Sequence, residues 1–282
     1  MLCVFNPEHD LCLAKGRWNY VPPRSALDFA SRDASIMQVL YPDAVCMSVY
    51  DPKLKDVLSC GQTLASAVIA WGWNAVVKHE LLKRGAPEDL LPSDEEIETI
   101  REMQHRSTVL PLQEGCREVH SVEEMEALLK EREHWVMKAP WSGAGRGLRW
   151  VHGGLTTIDH DWLLKTVETQ RCVIAEPRRD VAADVALEYM DGVFFGYSYF
   201  RTGSGVYKEN IAWNDERIES TFNLMPIRTT VERWLEKNVW PRYRGPLGVD
   251  LMVCADGSVH VAEINFRHTM GMVAHEELRI KS

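Results

Sequence analysis

Short apolar runs alternate with longer mixed segments through the first third of the chain. Leu2–Phe5 and residues 44–49 read as buried strands. Residues 25–40 read as helical, and residues 62–84 as one long helix stopped by Gly85, Ala86 and Pro87. Asn6 is placed to cap a helix whose first residue is Pro7, with Glu8 and Asp10 in its first turn. Strands alternating with helices make residues 1–92 an α/β unit with a boundary at 89–92. Beyond it, Ser93-Asp94-Glu95-Glu96 and Ser121-Val122-Glu123-Glu124 are capping boxes that open two helices. A strand at 135–139, a glycine-rich loop, a strand at 148–151, a helix at 161–169 and a strand at 173–176 follow. After the polar link 177–180, apolar runs from Val185 onward predict antiparallel strands, with a helix near 230–238.

Composition narrows the function. The chain has 282 residues, 45% hydrophobic and 26% charged, which is ordinary for a globular protein of one large or several small domains. Its net charge of −9 argues against nucleic acid as the main partner. The seven cysteines are scattered without a CxxC, which fits a reducing cytoplasm rather than a disulfide framework or a zinc site. No membrane role is expected. The opening MLCVFNPEHD turns polar too early for a secretory signal, and Ser66 and Asn74 break the most apolar stretch.

The segment VHVAEINFRHTMG, residues 259–271, carries chemistry. In a strand, Val261, Glu263, Asn265 and Arg267 share one face, and Ala262, Ile264 and Phe266 share the other. Asp256-Gly257 is a two-residue hairpin signal. Counting back from that turn places Asp250 directly opposite Glu263, and like charges so paired, with Cβ atoms roughly 4.5–5.5 Å apart, destabilise a sheet unless a cation compensates. Carboxylate and amide oxygens from Asp250, Glu263 and Asn265 suit Mg²⁺ or Mn²⁺. Mg²⁺ is usually shared with phosphate, so Arg267 is placed to meet a metal-bound anion and the hairpin predicts a nucleotide.

Two further stretches join it. Lys138 ends an apolar strand, and Ser142, Gly143, Gly145 and Gly147 follow in a loop that runs into another strand. Glycines let backbone N–H groups approach phosphate closely, although the loop is neither a Walker A motif nor a dinucleotide fingerprint and alone fits a surface hairpin equally well. The strand ending at Glu176 then enters a link containing Pro177, Arg178 and Arg179. Its backbone offers an edge for adenine, with Pro177 acting only as an acceptor, or it is simply a connector. Asp184 or Glu188 is placed for ribose hydroxyls.

Lysine strand, glycine loop, Glu-bearing hinge, and then Asp…Glu-x-Asn-x-Arg on two late strands together resemble the ATP-grasp superfamily. The last strand is similar to the metal-and-phosphate strand of biotin carboxylase. The resemblance covers roughly residues 95–275. It implies an α/β fold with a Rossmann-like domain at 1–92, a small lobe with a glycine flap at 93–177 and a large lobe with the metal hairpin at 178–282. It implies that Lys138 contacts ATP phosphates and that Gly143, Gly145 and Gly147 close as a flap, with Ser142 beside them. Glu176 would mark the adenine hinge, with the Pro177 C=O and Arg179 N–H as backbone partners and Asp184 on ribose. Asp250, Glu263 and Asn265 would bind Mg²⁺, and Arg267 would stabilise the transferred phosphoryl group. The activity implied is an ATP-dependent ligation of a small-molecule carboxylate to an amine or thiol through an acyl-phosphate. The alternatives are a small-molecule kinase and a non-catalytic ATP-binding module.

Two departures stand out. Where many members carry an earlier lysine, MQHRST offers only Arg106. The chain also runs only a little past Gly271, so a C-terminal substrate cap is missing or supplied by a partner, as in a homodimer. Substrate contacts are open. Glu8 or His9 could hold an amine or carboxylate, or the segment is only a helix start. Arg228 or Arg244 could bind a carboxylate, or they are simply exposed arginines, and Lys208 after a strand is open in the same way. Trp141 stands out as a flap residue, and His268 points to core or edge.

Overall fold

The computed structural model describes residues 1–59, 67–143, 147–203 and 206–281. Its first layer is a parallel sheet of β1 (Leu2–Phe5), β2 (Val45–Ser48) and β3 (Val68–Ala70) in the order β2-β1-β3. Between the strands run α1 (His9–Lys15), α2 (Arg24–Arg32), a 3₁₀ turn at Ala34–Val39 and α3 (Leu54–Ser59). α4 (Ala75–Lys83) follows β3 and α5 (Asp94–Met103) comes after it, opened by the capping box at Ser93. Continuous apolar runs without alternation are what strands covered on both faces require.

The expected helix over 62–84 is corrected here. Residues 60–66 lie outside the described set, 68–70 form β3, and helix begins only at Ala75. A short buried apolar run fits either element by periodicity, and pairing with β1 decides it. Asn74 gives the boundary, since its side chain accepts from Val76 and Val77 N–H at 3.0 and 3.1 Å. Asn6 does not cap α1. Its amide brackets Gly72 instead, donating to the carbonyl at 2.8 Å and accepting from the N–H at 3.3 Å, which ties β1 to the end of β3.

A second sheet has the order β4-β7-β5-β6. It contains β4 (Arg117–Val119), β5 (His134–Lys138), β6 (Leu148–His152) and β7 (Val173–Pro177), backed by α6 (Val122–Glu131) and α7 (Thr157–Gln170). The glycine loop joins β5 to β6, closed at its base by Ala139 N–H on the Gly147 carbonyl at 2.8 Å.

The third sheet is antiparallel at every strand pair and has the order β10-β9-β8-β11-β12. Its strands are β8 (Val181–Met190), β9 (Val193–Gly203), β10 (Val206–Ile211), β11 (Pro246–Cys254) and β12 (Val259–Asn265). α8 (Asp215–Phe222) and α9 (Met225–Asn238) cover one face and bury Leu224, Val231 and Leu235 against it. α10 (Met270–Lys281) turns back so that Val273 packs with Cys3, Phe5 and Trp71 of the first layer. His268 strengthens this junction as a buried residue, facing the Ala70 and Trp71 carbonyls through Nδ1 and the Tyr41 hydroxyl through Nε2. α8 and α10 had no counterpart in the sequence reading. Among the described residues no helix is long and apolar enough to cross a membrane.

Candidate functional site

The β11–β12 hairpin pairs Asp250 with Glu263, as counting from the turn required, but by a different route. Nearer the turn, Val253 pairs with Val259 and Leu251 with Val261, one residue out of the expected register. A bulge at Ala262 restores it. The bulge also reverses the faces. Val261 joins Ile264 and Phe266 in the core rather than sharing the face of Glu263. Burying Phe266 contributes roughly 1.5–3 kcal/mol toward anchoring the strand in the core. The Gln113 amide donates to the Val261 and Ala262 carbonyls at 3.1 and 2.7 Å, satisfying groups that the bulge withdraws from the ladder.

Asp250, Glu263, Asn265 and Arg267 line one cavity of about 560 Å³. Burial, then the charges of Glu263 and Glu188, hold the Asp250 carboxyl well above the usual carboxylate range. Asn265 donates to Asp250 Oδ2 at 3.2 Å and accepts from Arg267 Nη2 at 3.1 Å. Arg267 also clamps Asp10 of α1 through Nε at 3.3 Å and Nη2 at 3.1 Å. Burial is the largest single influence on Asp10 and works to raise its pKa, but the charge and hydrogen bonds of Arg267 together with the charges of His9 and Arg106 outweigh it, and the carboxyl lies below its ordinary range. Asp10 thus brings the first layer to the wall built by the third sheet.

Arg106 sits at the base of the glycine loop. It hydrogen-bonds Glu263 through Nε at 2.9 Å and through Nη2, and it donates from Nη1 to the Ala139 carbonyl and Ser142 Oγ, both at 2.6 Å. Its own N–H donates to the Pro140 carbonyl at 3.2 Å. One guanidinium therefore links the β11–β12 hairpin to the entry of the glycine loop. Gly143 lines the cavity, and a Cβ there would lie 2.5 Å from Asp10 Oδ2. A Cβ at Gly147 would collide with Ser142 Oγ. Gly145 lies outside the described residues. Trp141 is an anchor: its indole N–H donates to the Arg101 carbonyl at 2.9 Å, and the Arg101 guanidinium stacks 4.3 Å from its ring centroid.

Glu188 is fully buried and accepts from Ser198 at 2.8 Å and Thr269 at 2.9 Å, and burial pushes it up to about 7. Gly248 and Gly271 make its room, since a Cβ on either would run into its carboxylate.

The remaining sequence candidates gather elsewhere. Lys138 donates to Glu176 at 2.9 Å, on neighbouring strands β5 and β7 of the second sheet. Asp184 accepts from Thr202 at 2.7 Å, and burial raises its pKa. Arg179 donates to the Glu114 carbonyl at 2.7 Å and meets His260 at 3.0 Å. Pro177 ends β7 beside Trp135. None of Lys138, Glu176, Pro177, Arg179 and Asp184 lines the main cavity, although Thr202 does. Arg228 is held by Glu232 at 2.7 Å and Arg244 by the Asp191 carbonyl at 3.0 Å, both away from the cavity. The sequence reading named Asp10 only as a helix-start residue and Glu188 only as a ribose alternative. Asp10 belongs to no recognisable motif, and no local signal predicts its pairing with Arg267 across the chain.

No family model matches the sequence, and no curated protein matches it. The fold has solved counterparts. The chain is similar to N5-carboxyaminoimidazole synthetase from Staphylococcus aureus complexed with ADP, at 13% identity and TM-score 0.54, covering 98% of this chain and 76% of that one. It is similar to D-cycloserine synthetase DcsG at 11% identity and TM-score 0.59, covering 99% and 98%. It is similar to D-alanine–D-alanine ligase from Bacillus anthracis at 15% identity and TM-score 0.52, covering 96% and 86%. These are likenesses of fold, and the fold is ATP-grasp.

Proposed function

We propose that the chain is an ATP- and Mg²⁺-dependent ligase joining a small-molecule carboxylate to an amine or thiol, with ADP and phosphate as products. The observation that carries this reading is the convergence of Asp250, Glu263, Asn265 and Arg267 with Gly143 of the glycine loop on a single cavity. The donor set fits a hard divalent cation. Asp250 and Glu263 are paired like charges, Asp250 has no cationic side chain bonded to it among the described residues, and all three donors are oxygens. Asp250, Glu263 and Asn265 would hold Mg²⁺ or Mn²⁺, which would screen the oxygens of bound phosphates. Fold counterparts named as synthetases and ligases, one in complex with ADP, support the same class.

In this reading residues 1–92 are a Rossmann-like domain, 93–177 the small lobe and 178–282 the large lobe of a cytoplasmic enzyme. Lys138 contacts the phosphates after leaving Glu176, and the Pro177 carbonyl and Arg179 N–H face adenine. Asp184 takes ribose. Ser142, Gly143, Gly145 and Gly147 cover the phosphates and exclude water that would hydrolyse an acyl-phosphate. The substrate carboxylate attacks the γ-phosphate, Arg267 meets the developing charge, and the amine or thiol then displaces phosphate. The chain's contribution is positioning and charge neutralisation.

The test is ADP release from Mg-ATP with pools of carboxylates and hydroxylamine as acceptor, which turns an acyl-phosphate into a hydroxamate that added ferric ion makes visible. Carboxylate-dependent hydroxamate is expected from wild type and none from Glu263→Ala with its fold intact. Normal ADP release from that variant overturns the assignment.

A further inference from the structure

Each carboxylate lining the cavity has a side-chain partner except one. Asp10 has Arg267, Glu188 has Ser198 and Thr269, Asp250 has Asn265, and Glu263 has Arg106. Glu8 is only 2% exposed, lines the same cavity, and neither of its oxygens has a hydrogen-bond partner on another described residue. Leaving a buried charge uncompensated is among the most costly arrangements a fold can hold. Burial raises the Glu8 carboxyl to about 7, opposed by the residue's own backbone N–H, and no cation among the described residues hydrogen-bonds it.

The groups that feel its charge are acids in neutral form. Cys12, Tyr20 and Tyr50 all have pKa values raised by burial first and by Glu8 among their neighbours. The Tyr50 hydroxyl is also buried and without a partner. Both Glu8 carboxylate oxygens are thus buried at the cavity wall without a partner on another described residue. An edge-to-face cluster of Phe5, Phe29 and Trp71 lines the same cavity, with centroids 5.7 and 5.1 Å from Phe5. A compact ammonium carries three donors and one positive charge, and aromatic faces attract it.

We propose that Glu8 receives a protonated primary amine of the substrate, which makes the small-molecule partner of the proposed ligase an amino compound rather than a simple carboxylic acid. This rests on the ligase reading for the word substrate, but the binding site itself can be tested without it.

The probes are glycine, L-alanine, D-alanine, β-alanine and n-butylamine, with acetate for glycine, propionate for the alanines and 1-butanol for n-butylamine as amine-free matches. Thermal unfolding and isothermal titration are run on the full chain with and without Mg-ADP. At least one amine is expected to bind wild type ten-fold or more tightly than its amine-free match. Glu8→Gln, which keeps the shape and removes the charge, is expected to lose that preference and keep its Mg-ADP response. Equal binding of amines and their matches by wild type overturns the proposal, as does an unchanged amine preference in Glu8→Gln. The wild-type comparison decides alone if the variant fails to fold. An amine response without a Mg-ADP response in wild type overturns the ligase reading and leaves the Glu8 site standing. A Mg-ADP response without an amine preference does the reverse.

Discussion

Asp10 and Arg267 are 257 residues apart in sequence and joined by two hydrogen bonds, so their coupling tests the architecture directly. The perturbation is Asp10→Asn, Arg267→Met and the double variant. Two unit charges about 4 Å apart attract by roughly 4 kcal/mol at an effective dielectric of about 20. Breaking a fully buried pair costs about 3–5 kcal/mol, whereas an exposed pair contributes about 0–1 kcal/mol. The side chains here are 18% and 11% exposed, near the buried end. Arg267 also keeps the Asn265 oxygen and the His268 carbonyl at 3.1 Å each when Asp10 is neutralised. Solvent screening and these remaining bonds bring the expected coupling to about 1.5–3 kcal/mol, within the range that contacting residues show. Urea unfolding of the four proteins, with m-values compared to confirm two-state behaviour, measures it. A coupling below about 0.5 kcal/mol would mean the two residues do not meet, and the cavity wall as described would be wrong.

Other consequences follow from the same wall. Gly271→Ala drives a Cβ into Glu188 and Ser198 and should cost about 1–3 kcal/mol in denaturant unfolding, whereas Gly154→Ala, with nothing within 4 Å, should change stability by less than about 0.5 kcal/mol. Glu188 has a folded pKa of about 7, above its unfolded value of 4.5, so its stabilising contribution is full below pH 4.5 and is lost as pH rises to 7. Relative to Glu188→Gln, wild type should lose up to about 1.4 kcal/mol per pH unit across that window, and parallel stability–pH curves would refute the assignment. His268 acts with the opposite sign: burial lowers its pKa to about 4, so its contribution is lost as pH falls from 6.5, and His268→Gln should flatten that limb of the curve. Asp250→Asn removes a like charge facing Glu263 and should raise the unfolding midpoint without metal while abolishing any Mg²⁺-dependent rise.

Much of this wall was legible because strand chemistry is periodic. Glu263, Asn265 and Arg267 alternate, and the Asp256-Gly257 turn fixes what they face. The Asp250–Glu263 pair was read correctly, yet the bulge at Ala262 was not, because no residue there signals an inserted position. The β3 strand was lost inside a predicted helix, since three buried apolar residues carry no period of their own. Asn6 had the residue type of a cap, and only the tertiary approach of Gly72 claims its amide. Arg106 was noted as a departure from a lysine pattern, but its hold on Glu263 and Ser142 depends on the 3₁₀ turn at Arg106–Leu112 crossing the hairpin, a contact no local rule encodes.

The most direct test of the central claim is thermal unfolding with ADP, with and without Mg²⁺, for wild type and Glu263→Ala. A ligand that binds only the folded chain at about 100 times its dissociation constant adds roughly 2.7 kcal/mol. The account predicts a rise in midpoint with ADP that requires Mg²⁺ in wild type and is lost in the variant. No rise in wild type, or an equal rise in Glu263→Ala, would contradict it.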